Sequence, residues 1–237
     1  MTLSSAPECP AKIAGELAEN VQYRGRKASR QGSEQRRLSI LEAALRIIVR
    51  EGLRGVRHRA VAAEAGVPLS ATTYYFNDIQ DLIADSFALF VKRSSTNLAS
   101  LWSGIDEDFL RMSAALEGNP QARHAMVEHV IELAVAHIET KAREGDAELL
   151  VELAFRQEAL TNAGLNTLAA AYRNLRFHFA ERALRAMGST APVEDAQVLT
   201  TLILRMEYHA LVDGVDNLDM PGQRAVLKRF LDLVIGL

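Results

Sequence analysis

A single cysteine, Cys9, in 237 residues leaves no disulfide framework and no thiolate cluster for a metal, and nothing implies an oxidising compartment. With 6 prolines and 14 glycines, the chain has too few breakers for many short strands joined by tight turns. No uninterrupted apolar stretch reaches the roughly 18 residues that a membrane span requires, and residues 1–10 lack a basic start followed by an apolar run. A soluble protein of the cytoplasm, without membrane contact, is expected. Equally missing are a glycine-rich phosphate loop and a Gly-x-Ser-x-Gly elbow, and Cys9 stands far from any histidine. No catalytic residue is nominated and no cofactor is implied, so the expectation is a protein that is not an enzyme.

Apolar residues make up 49% of the chain and charged residues 24%, enough to bury a core, and the apolar spacing is helical throughout. The expected class is all-α, with a small module fused to a larger body. The net charge of −3 hides an uneven distribution. Between Arg24 and Arg59 lie 11 basic and 3 acidic residues, while the remainder holds 16 basic and 27 acidic ones. A basic end on an acidic body suits a protein that lays one end on phosphate. A solvated basic face with no partner would look the same.

Residues 1–33 mix Ser, Pro, Gly and charge and are expected to form a partly disordered basic extension, although Ile13, Leu17 and Val21 could line one short amphipathic helix. Its basic end, residues 24–30, suits either an arm along the DNA backbone or minor groove, or a solubilising tail. From Glu34 the steps Leu38, Leu41, Leu45 and Ile48 predict a helix over 34–51, with Ser33 as N-cap and Gly52 as its stop. Two short helices are predicted over 58–65 and 68–75. Longer ones follow over 79–102, 105–117, 120–143, 146–162, 165–187, 194–216 and 221–235, separated by glycines and prolines such as Gly104, Gly164 and Pro221.

The stretch 56–76 has what a close-packed pair of short helices requires. Ala62 and Ala65 are small at the crossing, Gly66 suits a left-handed turn, Pro68 suits the start of the next helix, and Val61, Val67 and Phe76 are spaced to face a core. The second helix of the pair spends its expected exposed positions on Leu69, Ser70, Ala71, Thr73, Tyr74 and Tyr75. None is a carboxylate, so the helix can enter a DNA major groove. The run Ile40-Leu41-Glu42-Ala43-Ala44-Leu45, the Ala62-x-x-Ala65-Gly66-Val67 turn, the Tyr74-Tyr75-Phe76 end and Asp81-Leu82-Ile83 together resemble the TetR family of bacterial transcriptional regulators.

That resemblance implies a three-helix DNA-binding domain over 34–78 and a larger helical ligand-binding and dimerisation domain over 79–237. It implies a regulator, most simply a ligand-responsive repressor, that binds palindromic double-stranded DNA as a homodimer and answers to a small molecule yet to be identified. Carried over residue by residue, Arg59, Leu69, Ser70, Ala71, Thr73 and Tyr74 face the groove, while Arg36, Arg37, Arg57, His58 and Tyr75 position the module on phosphates. The family's usual lysine near the start of the next helix is Ile79 in this sequence.

One helix-turn-helix spans few base pairs, so two heads must pair across half-sites. Two stripes, Leu168-Tyr172-Leu175-Phe179 and Leu199-Ile203-Met206-Ala210, suit either a four-helix dimer seam or an intramolecular core. Candidate ligand-pocket residues are Phe87, Phe90, Trp102, Phe109, Met126, His129, Leu133, Phe155, Tyr172, Phe177 and His178, each equally at home in an ordinary core. The competing class is a helical metal-carboxylate or small-molecule carrier protein, since His124, Glu128, His129, Glu132 and His137 cluster on one predicted helix. The order His124-Ala-Met-Val-Glu-His129 has one residue too many for an inverted zinc-peptidase motif, and no metal site is assigned.

Overall fold

A computed structural model describes residues 10–26, 31–113, 119–143 and 147–236; the side chains of 98–113 and of a few other helical positions are not covered. The described residues form ten α-helices and no strand. They are α1 (Pro10–Asn20), α2 (Gln31–Glu51), α3 (His58–Ala65), α4 (Leu69–Tyr75), α5 (Ile79–Ser113), α6 (Pro120–Arg143), α7 (Ala147–Ala159), α8 (Ala163–Met187), α9 (Pro192–Asp213) and α10 (Met220–Ile235). No described helix is long and apolar enough to cross a membrane.

Several expected boundaries shift for local reasons. Gly104 does not break the chain, and the two helices expected over 79–102 and 105–117 are the single helix α5. An interior glycine costs a helix only about 1 kcal/mol, which flanking helix formers can offset. Ser33 is not the N-cap of α2 but lies within it, its hydroxyl 2.8 Å from the Tyr75 hydroxyl. Helix α8 starts before Gly164, whose N–H is capped by the Asn162 side chain at 3.1 Å. Asp219 caps α10 in the same way through Gly222.

The chain divides into two compact units. One, the head unit, comprises Gly15–Asn97 and Ala147–Tyr172; the other, the body unit, comprises Met1–Ala14, Leu98–Asp146 and Arg173–Leu237. In the head unit the apolar faces of α2, α3 and α5 meet in one core that includes Ile40, Leu41, Ile47, Val61, Phe76, Leu82 and Phe87. Helix α7 packs across α2 and adds Val151 and Phe155 to that core. Phe155 stacks on Phe87 with ring centroids 4.8 Å apart, a contact worth about 1 kcal/mol beyond the area it buries.

The body unit has its own core, drawn from α6, α8, α9 and α10, with Met126, Ile131, Ile138, Leu184, Leu199, Met206, Leu227 and Leu231 at its centre. Leu199, Met206 and Ala210, together with Leu175 and Phe179, are buried within the single chain. These five positions of the two apolar stripes are therefore packed within the chain, while Leu168, Tyr172 and Ile203 are half-buried. Apolar periodicity reports that a face is buried, not what buries it.

Candidate nucleic-acid interface

Helices α3 and α4 are short, so tertiary contacts rather than propensity must hold them. Gly66, at φ 65° and ψ 32°, takes the left-handed turn between them, and the N–H of Val67 closes it on the Ala62 carbonyl at 3.0 Å. Across the pair, His58 Nδ1 of α3 lies 3.1 Å from Thr72 Oγ1 of α4, and that hydroxyl also donates to the Leu69 carbonyl at 2.8 Å. Thr72 is fully buried, as are Val61 and Phe76. Helix α2 is tied to α3 by Arg46 and Arg50, both bonded to Glu64. The Arg46 hydrogen bond and then that of Arg50 lower the Glu64 pKa.

What α4 leaves outside is its opposite face. Leu69 is 44% and Tyr74 54% exposed, Ser70 and Thr73 are exposed beside them, and Ala71 is half-buried. Tyr75 departs from expectation, because at 5% exposure its ring belongs to the core and its hydroxyl is held by Ser33. Two adjacent helical residues point about 100° apart, and here Tyr74 faces out while Tyr75 faces in. Arg59 and Arg57 are exposed at the start of α3, and Arg36 is exposed on α2.

Arg37 is also corrected. It is buried, donates to Glu34 at 2.8 and 3.1 Å and to Asp85 at 3.5 Å, and lies over the Tyr23 ring at 4.4 Å. No group so enclosed can reach a phosphate. Its partner Asp85, on α5, accepts the N–H groups of Arg24 at 2.6 Å and Gly25 at 3.0 Å. Burial raises the Asp85 pKa against the lowering effect of these bonds. Ile79, where a cation would suit a phosphate, packs on the core instead.

The candidate ligand residues are divided between the two units. Phe87, Phe90, Phe155 and Tyr172 belong to the head unit, where Phe90 meets Tyr172 edge to face at 5.9 Å. Met126, His129, Leu133, Phe177 and His178 belong to the body unit, and the side chains of Trp102 and Phe109 lie outside the described residues. A cavity of about 260 Å³ in the head unit is lined instead by Leu17, Val21, Arg24, Asp85, Leu165 and Leu168 among others. Glu128 and Glu132 are bonded to Arg224, and among the described residues no three His, Cys, Asp or Glu side chains converge as a metal site.

A polar cluster missed in the sequence sits inside the body unit. Glu207 of α9 accepts on Oε1 from Arg176 of α8 at 2.7 Å, and its Oε1 lies 3.1 Å from His137 Nε2 of α6. Its Oε2 is buried with no hydrogen-bond partner. Burial acts to raise the carboxyl pKa, yet Arg176 and His137 outweigh it and hold it at about 2. The one available signal was a glutamate next to Met206 of the apolar stripe, in a stretch, 202–211, that also carries Arg205 and His209.

Residues 40–85, from the middle of α2 to the first turns of α5, match the family model for bacterial regulatory proteins of the tetR family. Over that stretch the chain is similar to regulators of the TetR family. A member of that family from Streptomyces coelicolor A3 superposes with a TM-score of 0.54 at 25% identity, covering 83% of this chain and 98% of that one. Two further structures share the fold. A transcriptional regulator from Rhodococcus sp. Rha1 superposes at TM-score 0.54 and 18% identity over 84% of this chain and 94% of that one. A protein from Saccharomonospora viridis solved in complex with choline superposes at TM-score 0.54 and 22% identity, with coverages of 84% and 96%. No curated protein matches the chain. The described residues are helical without a strand, and α3 and α4 lie wholly within the matched stretch.

Proposed function

We propose that this regulator acts in the cytoplasm, without catalysing a reaction, by binding a palindromic operator as a homodimer and releasing it when a small molecule enters its helical body. Residues 34–78 read the DNA, and 79–237 carry the ligand and dimer functions, with α7 lending Phe155 to the head's core. The observation that carries this is the exposed face of α4, Leu69, Ser70, Thr73 and Tyr74, free of carboxylates and fixed from behind by buried Thr72, Tyr75 and Phe76. Arg59, Arg57 and Arg36 supply exposed cations on the same module.

Dimerisation is supported by a second face. Val198, Tyr208 and Val212 of α9, with Thr201 and Arg205 between them at three- and four-residue steps, are exposed, and so are Val226 and Leu233 of α10. Such a stripe suits a two-fold contact between equal copies, which matches the symmetry of a palindrome. For the ligand, Glu207, a carboxylate buried in the body unit with one oxygen lacking a hydrogen-bond partner, would serve as a polar anchor. The test is selection of bound DNA from a random pool at graded salt. A palindrome with half-site centres about 34–36 Å or a multiple apart is expected, and no enrichment at low salt overturns the proposal.

A further inference from the structure

The backbone from 23 to 26 belongs to no helix, yet it is bonded at three consecutive residues. Arg24 and Gly25 donate to the buried Asp85 carboxylate, and Arg26 N–H donates to the Tyr75 carbonyl, the last of α4, at 2.8 Å. Gly25 is pressed flat against the core, since a Cβ there would stand 2.8 Å from the Phe76 ring and 2.9 Å from Asp85 Oδ2. Only a residue without a side chain lets the strap lie this close. Its last described residue, Arg26, carries its guanidinium to 4.5 Å from the centroid of the Tyr74 ring, on the face that α4 leaves exposed.

We propose that the strap 23–26 is a built part of the DNA-reading surface, and that Arg26 contacts an operator phosphate beside Tyr74. The proposal rests on the assignment of α4 as the reading helix. A recognition helix turns its N-terminal residues to the base edges. Tyr74 stands five residues beyond Leu69, roughly 7 Å further along the axis, toward the wall of the groove where phosphates lie. The cation–π contact holds Arg26 there and uses none of its five N–H donors. Other arginines of the head, Arg37, Arg46 and Arg50, are bonded to carboxylates; among the described residues no carboxylate takes a bond from Arg26. A placed cation with free donors suits a phosphate oxygen.

The test is fluorescence anisotropy of the full-length protein on its selected operator, from about 50 to 300 mM salt. Arg26→Ala should bind roughly tenfold more weakly, and the slope of log affinity against log salt should fall by about 0.9 for each head on the DNA. Arg26→Lys should keep the slope. Gly25→Ala, which keeps every charge but forces the strap off Phe76, should lose affinity and slope together. Both Arg26 variants should unfold within a few degrees of the parent, and Gly25→Ala, which loosens the bonds to buried Asp85, somewhat lower. If the parent binds and Arg26→Ala keeps both affinity and slope, the proposal is overturned. Lost affinity with an unchanged slope overturns the phosphate contact, with Arg26 acting only through Tyr74. A parent that selects no DNA overturns instead the assignment of α4, a distinct result.

Discussion

At the scale of single residues, the head separates side chains that build the surface from those that use it. Thr72, Tyr75 and Phe76 are buried and shape α4, whereas Arg59 and Tyr74 are exposed and make little contact that folding needs. Exposed substitutions of that kind usually change stability by no more than about 0.5 kcal/mol. Arg59→Ala and Tyr74→Ala should therefore each weaken operator binding about tenfold or more while leaving thermal unfolding unchanged. Unaltered affinity in both would remove α3 and α4 as the reader. Tyr74 and Tyr75 also mark the limit of what sequence reveals at this scale. Residue type nominated both rings for DNA, and only the helix phase set by the core sends one outward. Arg37 fails similarly, since nothing local announces that Asp85, 48 residues on, will enclose it.

At the scale of elements, the helix-turn-helix was legible because its signals are local: small residues at the crossing, Gly66 at the turn, Pro68 before α4. The contribution of α7 to the head core was not, because it depends on a contact between segments about a hundred residues apart. Nor was the junction of α6, α8 and α9 at Glu207. That junction makes a pH prediction. The Glu207 carboxyl is held at about 2, below its ordinary value of 4.5, so the folded state binds its proton less readily than the unfolded chain. The stability it contributes is complete above pH about 4.5 and is lost as pH falls toward 2, on the order of 3 kcal/mol in all. Glu207→Gln should be destabilised at neutral pH, and its unfolding temperature should converge on the parent's as pH falls from 5 to about 2.5. A difference between the two that stays constant across that window would refute the ion-pair account.

For the whole molecule, the operator proposal needs two heads, and the exposed stripe on α9 is where the chain offers to provide them. Tyr208 is 54% and Val212 63% exposed, and α10 adds Leu233 at 62%. Isolated exposed apolar residues are ordinary, but Tyr208 and Val212 stand one turn apart on one helix, a pairing that suits cover by a second copy. If two copies meet there, like charges placed on the stripe face each other across the two-fold axis and each substitution acts twice. The double variant Tyr208→Glu, Val212→Glu should sediment as a monomer at micromolar concentration where the parent is a dimer. Its α3–α4 surface is untouched, so it should still bind a single half-site weakly while losing its preference for the full palindrome, a drop of 100-fold or more given the effective concentration that linkage provides. A variant that remains dimeric and keeps its operator affinity would move the interface elsewhere on the chain.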